Sequence, residues 1–206
     1  MQIQTVLKIG AALCVAFFGI EAARTSLQGP KAVSVPAVQV QVLAQSPVQT
    51  PTNKAAFAFE GHQIRPLAQF AVRARVLGRE DYRMDKEADL SPIDLALGWK
   101  QMANPAVYGP LNITQGGRWY RYSWKDQPPI PLQEIIESSA NMHMIPANAA
   151  VHKVLKKARE GSFVQISGYL VEATNAQGWR WTSSLTRSDS GGGSCELVFV
   201  ESAVVE

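Results

Sequence analysis

Cysteine is scarce in this 206-residue chain, which has two, Cys14 and Cys195. Cys14 falls in an apolar N-terminal stretch, so a disulfide framework is excluded as the source of stability and the folded part must hold itself by packing. Histidine is equally scarce. Three scattered imidazoles and one thiol offer none of the spacings of a zinc motif, so no metal or cofactor is expected. Charge of one sign is missing too: the formal net charge is +3 and it is dispersed, which removes nucleic acid as the default partner. Apolar residues make up 46% of the chain and charged ones 18%, enough for one sizeable core with an appendage.

There is a single long hydrophobic run, the uncharged stretch from Ile9 to Ile20 behind Lys8. It has the length of a signal-peptide core, whereas a span usually takes about 20 apolar residues. Glu21-Ala22-Ala23 puts a carboxylate where cleavage wants a small residue. Residues 1–28 therefore read as a signal anchor, with a cleaved signal peptide as the alternative. Val6, Leu7, Ala22 and Ala23 extend the segment while Lys8 snorkels. The expected partner of residues 6–23 is a bacterial inner membrane, with the remaining chain on the periplasmic side, or secreted if the leader is removed. Leu13 stands where lipoprotein processing wants a small residue, leaving Cys14 as a small hydrophobe. Residues 29–54 form a linker rich in Pro, Val and Gln. Pro30, Pro36, Pro47 and Pro51 prevent a continuous helix, and Val38-Gln39-Val40-Gln41-Val42 alternates but reads as an extended tether.

Residues 55–206 read as one α+β domain, mainly antiparallel sheet with a few short helices. Phe70 to Val76 alternates as a strand with Arg73 and Arg75 on its wet face. Arg79 to Asp89 interleaves both signs as a solvated connection. Ser91-Pro92-Ile93-Asp94 resembles a helix start, with Ser as cap, Pro in the first turn and Gly98 as a stop. Trp119 to Trp124 reads as an aromatic strand whose rings pack across a sheet. Leu132 to Glu137 is a helical turn or two, leading into Ser138–Pro146. If that stretch is extended, Ala140, Met142 and Met144 share one face and Asn141, His143 and Ile145 the other. Asn148 caps a helix with Val151, Val154, Leu155 and Ala158 on one stripe and Gly161 past its end. Three strands follow: Phe163–Glu172, Trp179–Leu185 and Cys195–Glu201. A helix followed by a meander fits α+β; the narrower option is a small barrel of oligonucleotide/oligosaccharide-binding (OB) type in this C-terminal part, with Phe163–Glu172 as its first long strand.

The catalytic candidates are His143 and Cys195, with Asn141 to orient the ring, because a thiol beside an imidazole is the minimum for nucleophilic catalysis. The loop Gly191-Gly192-Gly193-Ser194-Cys195 distantly resembles the Ser-Gly-Cys region of L,D-transpeptidases. It departs from it in placing Ser directly before the Cys and Glu196-Leu197 after it, where that family has a basic residue. Cys195 also shares strand parity with Leu197 and Phe199, which turns the thiol toward a core. The ligand-binding candidates are Trp179, Arg180 and Trp181, since a tryptophan pair over a sheet can stack on sugar rings or pack beneath other elements. Ser183-Ser184 lacks the sharp turn of a serine nucleophile.

The segments Ala88-Asp89-Leu90-Ser91-Pro92, Ser139-Ala140-Asn141-Met142-His143, Ser167-Gly168-Tyr169-Leu170-Val171-Glu172 and Ser183-Ser184-Leu185-Thr186-Arg187 together resemble a family of exported or membrane-anchored bacterial proteins without an assigned activity. The resemblance covers roughly the last two-thirds of the chain and implies an envelope setting, with no functional residue to carry over. The expectation is a membrane-tethered, non-enzymatic binding or assembly module with a protein partner in the envelope. The alternatives are a Cys195/His143 hydrolase or transpeptidase on cell-wall material, and an OB-like module for oligosaccharides or oligonucleotides.

Overall fold

The computed structural model describes residues 46–206. The anchor expected at 6–23, Cys14 and the alternating stretch Val38–Val42 lie outside the described residues. Among those described, no helix is long and apolar enough to cross a membrane. The elements run β1 (Val48–Thr50), β2 (Phe57–Phe59), β3 (His62–Asp81), β4 (Ile93–Gly98), a 3-10 turn (Lys100–Ala103), α1 (Pro105–Tyr108), β5 (Asn112–Gly116), β6 (Trp119–Ser123), α2 (Leu132–Ser138), β7 (Ser139–Pro146), α3 (Ala149–Leu155), β8 (Phe163–Thr174), β9 (Arg180–Thr182) and β10 (Glu196–Val205). This is an α+β fold with a sheet rich in antiparallel pairs and short helices.

The long strand β3 organises the sheet. Its alternation is the one expected: Phe70, Val72, Ala74 and Val76 are buried, while Arg73 and Arg75 leave the core and lay their guanidinium groups over the Phe163 ring. β3 pairs antiparallel with β8 along its first half and with β4 along its second. β4 pairs antiparallel with β7, β7 parallel with β10, and β10 antiparallel with β8, so successive pairings lead back to β3. The short β2 and β1 add to β3, and β9 adds to β8. β1 lies within the stretch read as linker. β5 and β6 form a separate hairpin.

Ile93–Gly98 is a strand, not the helix that the capping residues Ser91 and Pro92 suggest. Every residue of β4 is buried, and its neighbours β3 and β7 satisfy its backbone on both sides. Ile93-Asp94-Leu95-Ala96-Leu97 has no polar stripe to turn toward water, which suits a strand covered on both faces. Tertiary pairing overrides the local cap signal.

The inward sides of β3, β4, β7, β8 and β10 meet in one cluster that includes Val72, Leu95, Met142, Ile166, Leu170 and Val198. Val151 and Leu155 of α3 join it, so the Met142/Met144 face of β7 packs on the helix as expected. The Asn148 side chain accepts from Val151 N–H at 3.0 Å, the cap read from the sequence. The helix stops at Leu155, short of the predicted stripe, because Lys157 and Ala158 bond back three residues and Arg79 takes the Lys156 and Ala158 carbonyls. On the other side of the sheet, Ile145, Val171, Leu197 and Phe199 pack with Phe57, Phe59 and Trp179. The insertion between β4 and β7 packs Met102, Ile135 and the aromatic rings of β6 on Leu77 and Ala96.

Gly168 carries a strong constraint. It faces Val200 where the register of β10 shifts, and a Cβ there would run into the Phe199 carbonyl. Gly168→Ala is therefore expected to destabilise the domain by about 3 kcal/mol in denaturant titration. A loss under about 0.5 kcal/mol would show that the two strands separate easily.

Candidate functional site: a cleft over β4 and β7

Opposed residues of an antiparallel ladder share a face. Leu95 opposes Met142 on the inward side, whereas Asp94 opposes His143 and Ala96 opposes Asn141 on the outward side. Two adjacent strands thus carry a carboxylate, an imidazole and an amide on one surface. β10 runs parallel to β7, setting Leu197 beside His143, and Cys195 enters just ahead of it with Asn141 as a hydrogen-bonding neighbour.

Asp94 is fully buried. Its Oδ1 accepts from Arg118 Nη1 at 2.9 Å and its Oδ2 from Asn141 Nδ2 at 3.2 Å. Gln115 Nε2 donates in turn to Asn141 Oδ1 at 2.8 Å. His143 Nδ1 also comes within 2.9 Å of Asp94 Oδ1, but in a geometry that makes no hydrogen bond, and the nitrogen is left unpartnered. Arg118 reaches this carboxylate from the tip of the β5–β6 hairpin. Gly117 and Arg118 have φ of 58° and 68°, the left-handed pair of a tight two-residue turn. That conformation is unfavourable for arginine and persists where surroundings over-determine it. Here Asp85 accepts from Nε at 3.0 Å and Nη2 at 2.7 Å, the Ser91 carbonyl accepts from Nη1 at 2.8 Å, and the Tyr82 ring lies 3.7 Å from the guanidinium carbon. The Arg118 N–H donates to Tyr82 Oη at 2.9 Å.

Above this network lies a cleft of ≈ 340 Å³, walled by Arg118, Trp119, His143, Trp181, Glu87 and Cys195, with glycines of the 191–193 loop at its edge. An adjoining bay of ≈ 190 Å³ shares Trp119, Gly191 and Cys195 and adds Tyr120, Tyr122 and Asn141. The chain matches no family model, no curated protein and no solved structure.

Of the residues singled out from the sequence, His143, Cys195, Asn141 and Trp181 come together here. The Trp181 ring lies 4.7 Å from His143. Trp179 and Arg180 do not join them: Trp179 packs edge-on to His62 at 5.4 Å, and Arg180 turns to the opposite face to pair with Glu172. The strand expected over Trp179–Leu185 is only Arg180–Thr182: the Ser183 N–H still donates to the Val171 carbonyl of β8, but the Ser184 N–H turns to the Cys195 carbonyl and its Oγ donates to Asp189 at 2.6 Å. Asp94, Arg118 and Glu87 escaped sequence reading, and Trp119 stood out only as part of the aromatic strand. A lone carboxylate inside an apolar run was the available sign for Asp94, and Gly116-Gly117 marked the turn without saying what its tip would touch. Among the described residues, no three His, Cys, Asp or Glu side chains converge as metal ligands.

Burial pushes the Cys195 thiol up to about 11, with the neighbouring Glu196 adding to it and the Asn141 contact opposing. The thiol is therefore protonated at neutral pH and is a poor nucleophile. On the inward side, Glu196 is buried beside Arg187, with Oε1 in the ion pair and Oε2 unpartnered. Burial pushes its carboxyl up to about 8, and the Arg187 charge does not reverse this. The folded protein then holds this proton to about pH 8, whereas the unfolded chain releases it near the ordinary 4.5. Stability from this group is accordingly expected to fall as pH rises through that window and to level off above it. Denaturant titrations from pH 5 to 9 should show that decline and Glu196→Gln should flatten it; an unchanged slope in the variant would contradict the assignment.

Proposed function

We propose that the chain is a non-enzymatic binding module whose ligand site is the cleft over β4 and β7. The observation that carries this is the cleft itself, ≈ 340 Å³ in volume and walled by the Trp119 and Trp181 indoles beside Arg118, Glu87 and the His143 ring. Concave sites that set aromatic walls beside a few polar groups are where small ligands usually bind. An OB-like barrel supports the same reading. The pairing circuit β3-β4-β7-β10-β8, with β7 and β10 parallel and α3 between β7 and β8, suits such a barrel, where the second and third strands and flanking loops hold an oligomer. In this reading the first long strand is β3, and Phe163–Thr174 is the fourth. Attachment to a bacterial inner membrane through residues 6–23, and a protein partner in the envelope, rest on the sequence alone.

Ring-bearing fragments screened by amide and indole NMR on the full chain are expected to shift the Trp181 indole, and Trp181→Ala should abolish those shifts. Fragments that perturb only distant surfaces would contradict the site.

A cysteine hydrolase is the second reading, favoured by Cys195, His143 and Asn141 sharing one wall. The protonated, half-buried thiol speaks against it. In a Cys14→Ser chain at pH 8, Cys195 should react with a thiol probe more than tenfold faster once the protein is denatured. Rapid labelling of the folded protein would instead favour the enzyme.

A further inference from the structure

Resting on that binding reading, we infer that the cleft takes an uncharged oligosaccharide. Charge decides against the anionic alternatives. Glu87 lines the cleft, and no ion pair to it is present among the described residues; Asp189 lines the adjoining bay. Among the described residues the cation on the walls is Arg118, whose guanidinium already makes four hydrogen bonds, to Asp85, Asp94 and the Ser91 carbonyl. A phosphate or uronate entering here would meet carboxylates and find no free cation. Single-stranded nucleic acid needs the reverse, a positive groove tracking its backbone beside stacking rings.

The same walls suit sugar rings. Trp119 stands 42% exposed at the boundary of the two bays, and Trp181 forms half-buried wall inside the larger one. A pyranose has an apolar face that lies against an indole and a rim of hydroxyls that both donate and accept. Glu87 is an acceptor for such hydroxyls, and it shares the cleft lining with the His143 ring. Two bays joined across Trp119, Gly191 and Cys195 accommodate linked rings rather than one compact ligand.

Calorimetric titration of the full chain with cellotetraose, chitotetraose, a tetrameric uronate and a short oligo-dT tests this. At least one neutral tetrasaccharide is expected to bind, the two anionic oligomers being weaker by tenfold or more. Trp181→Ala should weaken the neutral sugar about tenfold or more. The exposed Trp119→Ala should weaken it as well, which keeps the test decisive if Trp181→Ala folds poorly. Glu87→Gln should narrow the preference over the uronate. Binding of an anionic oligomer as tight as that of the neutral ones, and dependent on Trp181, would overturn the uncharged class while leaving the cleft as the site. Absence of binding by both neutral sugars would overturn the inference, and only the additional failure of every ring fragment to shift Trp181 would remove the binding reading itself.

Discussion

A carboxylate removed from water must be met by charge and hydrogen bonds, and Asp94 is such a carboxylate. Its position on β4 is fixed by pairing with β3 on one side and β7 on the other. Its hydrogen-bond partners come from opposite directions: Asn141 from the facing strand, Arg118 from the tip of an inserted hairpin. Meeting its charge therefore pins that hairpin across the sheet. Asp85 and Tyr82 hold the same arginine from the β3–β4 connection, so three separate segments are drawn to one point. The cleft is the space these segments leave between them and the glycine-rich loop before β10.

Much of the scaffold was legible because its signals are local. The alternation in β3, the two faces of Ser139–Pro146 and the Asn148 cap each depend on residues within a few positions. The site was half legible. His143, Asn141, Cys195 and Trp181 stood out as chemically capable side chains, yet nothing nearby in the chain says that Asp94 is their common neighbour. Ser91-Pro92-Ile93-Asp94 carries the chemistry of a helix start, and only burial between two strands makes it extended. Arg118 meets its carboxylates 24 and 33 residues away, a pairing with no periodic trace. The parallel β7–β10 pair, which brings Cys195 to the cleft, joins strands separated by α3, β8 and β9 and is equally silent.

The two faces of the same strands divide the labour. Inward, the apolar side chains close a core that tolerates one ionisable pair, Glu196 and Arg187, with the acid kept protonated near neutrality by burial. Outward, polar groups are gathered around Asp94 and rimmed by indoles. A thiol held in its protonated form and an arginine already saturated by carboxylates suit recognition better than bond-making.

Everything outward depends on the Asp94–Arg118 pair, so a double-mutant cycle between Asp94→Ala and Arg118→Ala, read by equilibrium unfolding, is the most direct test. A coupling of about 2 kcal/mol is expected, since Arg118→Ala leaves the buried Asp94 without a cation while Asp94→Ala leaves Arg118 still paired with Asp85. Effects that add to within about 0.5 kcal/mol would mean that the hairpin is held by something else and that the cleft is not built on this carboxylate.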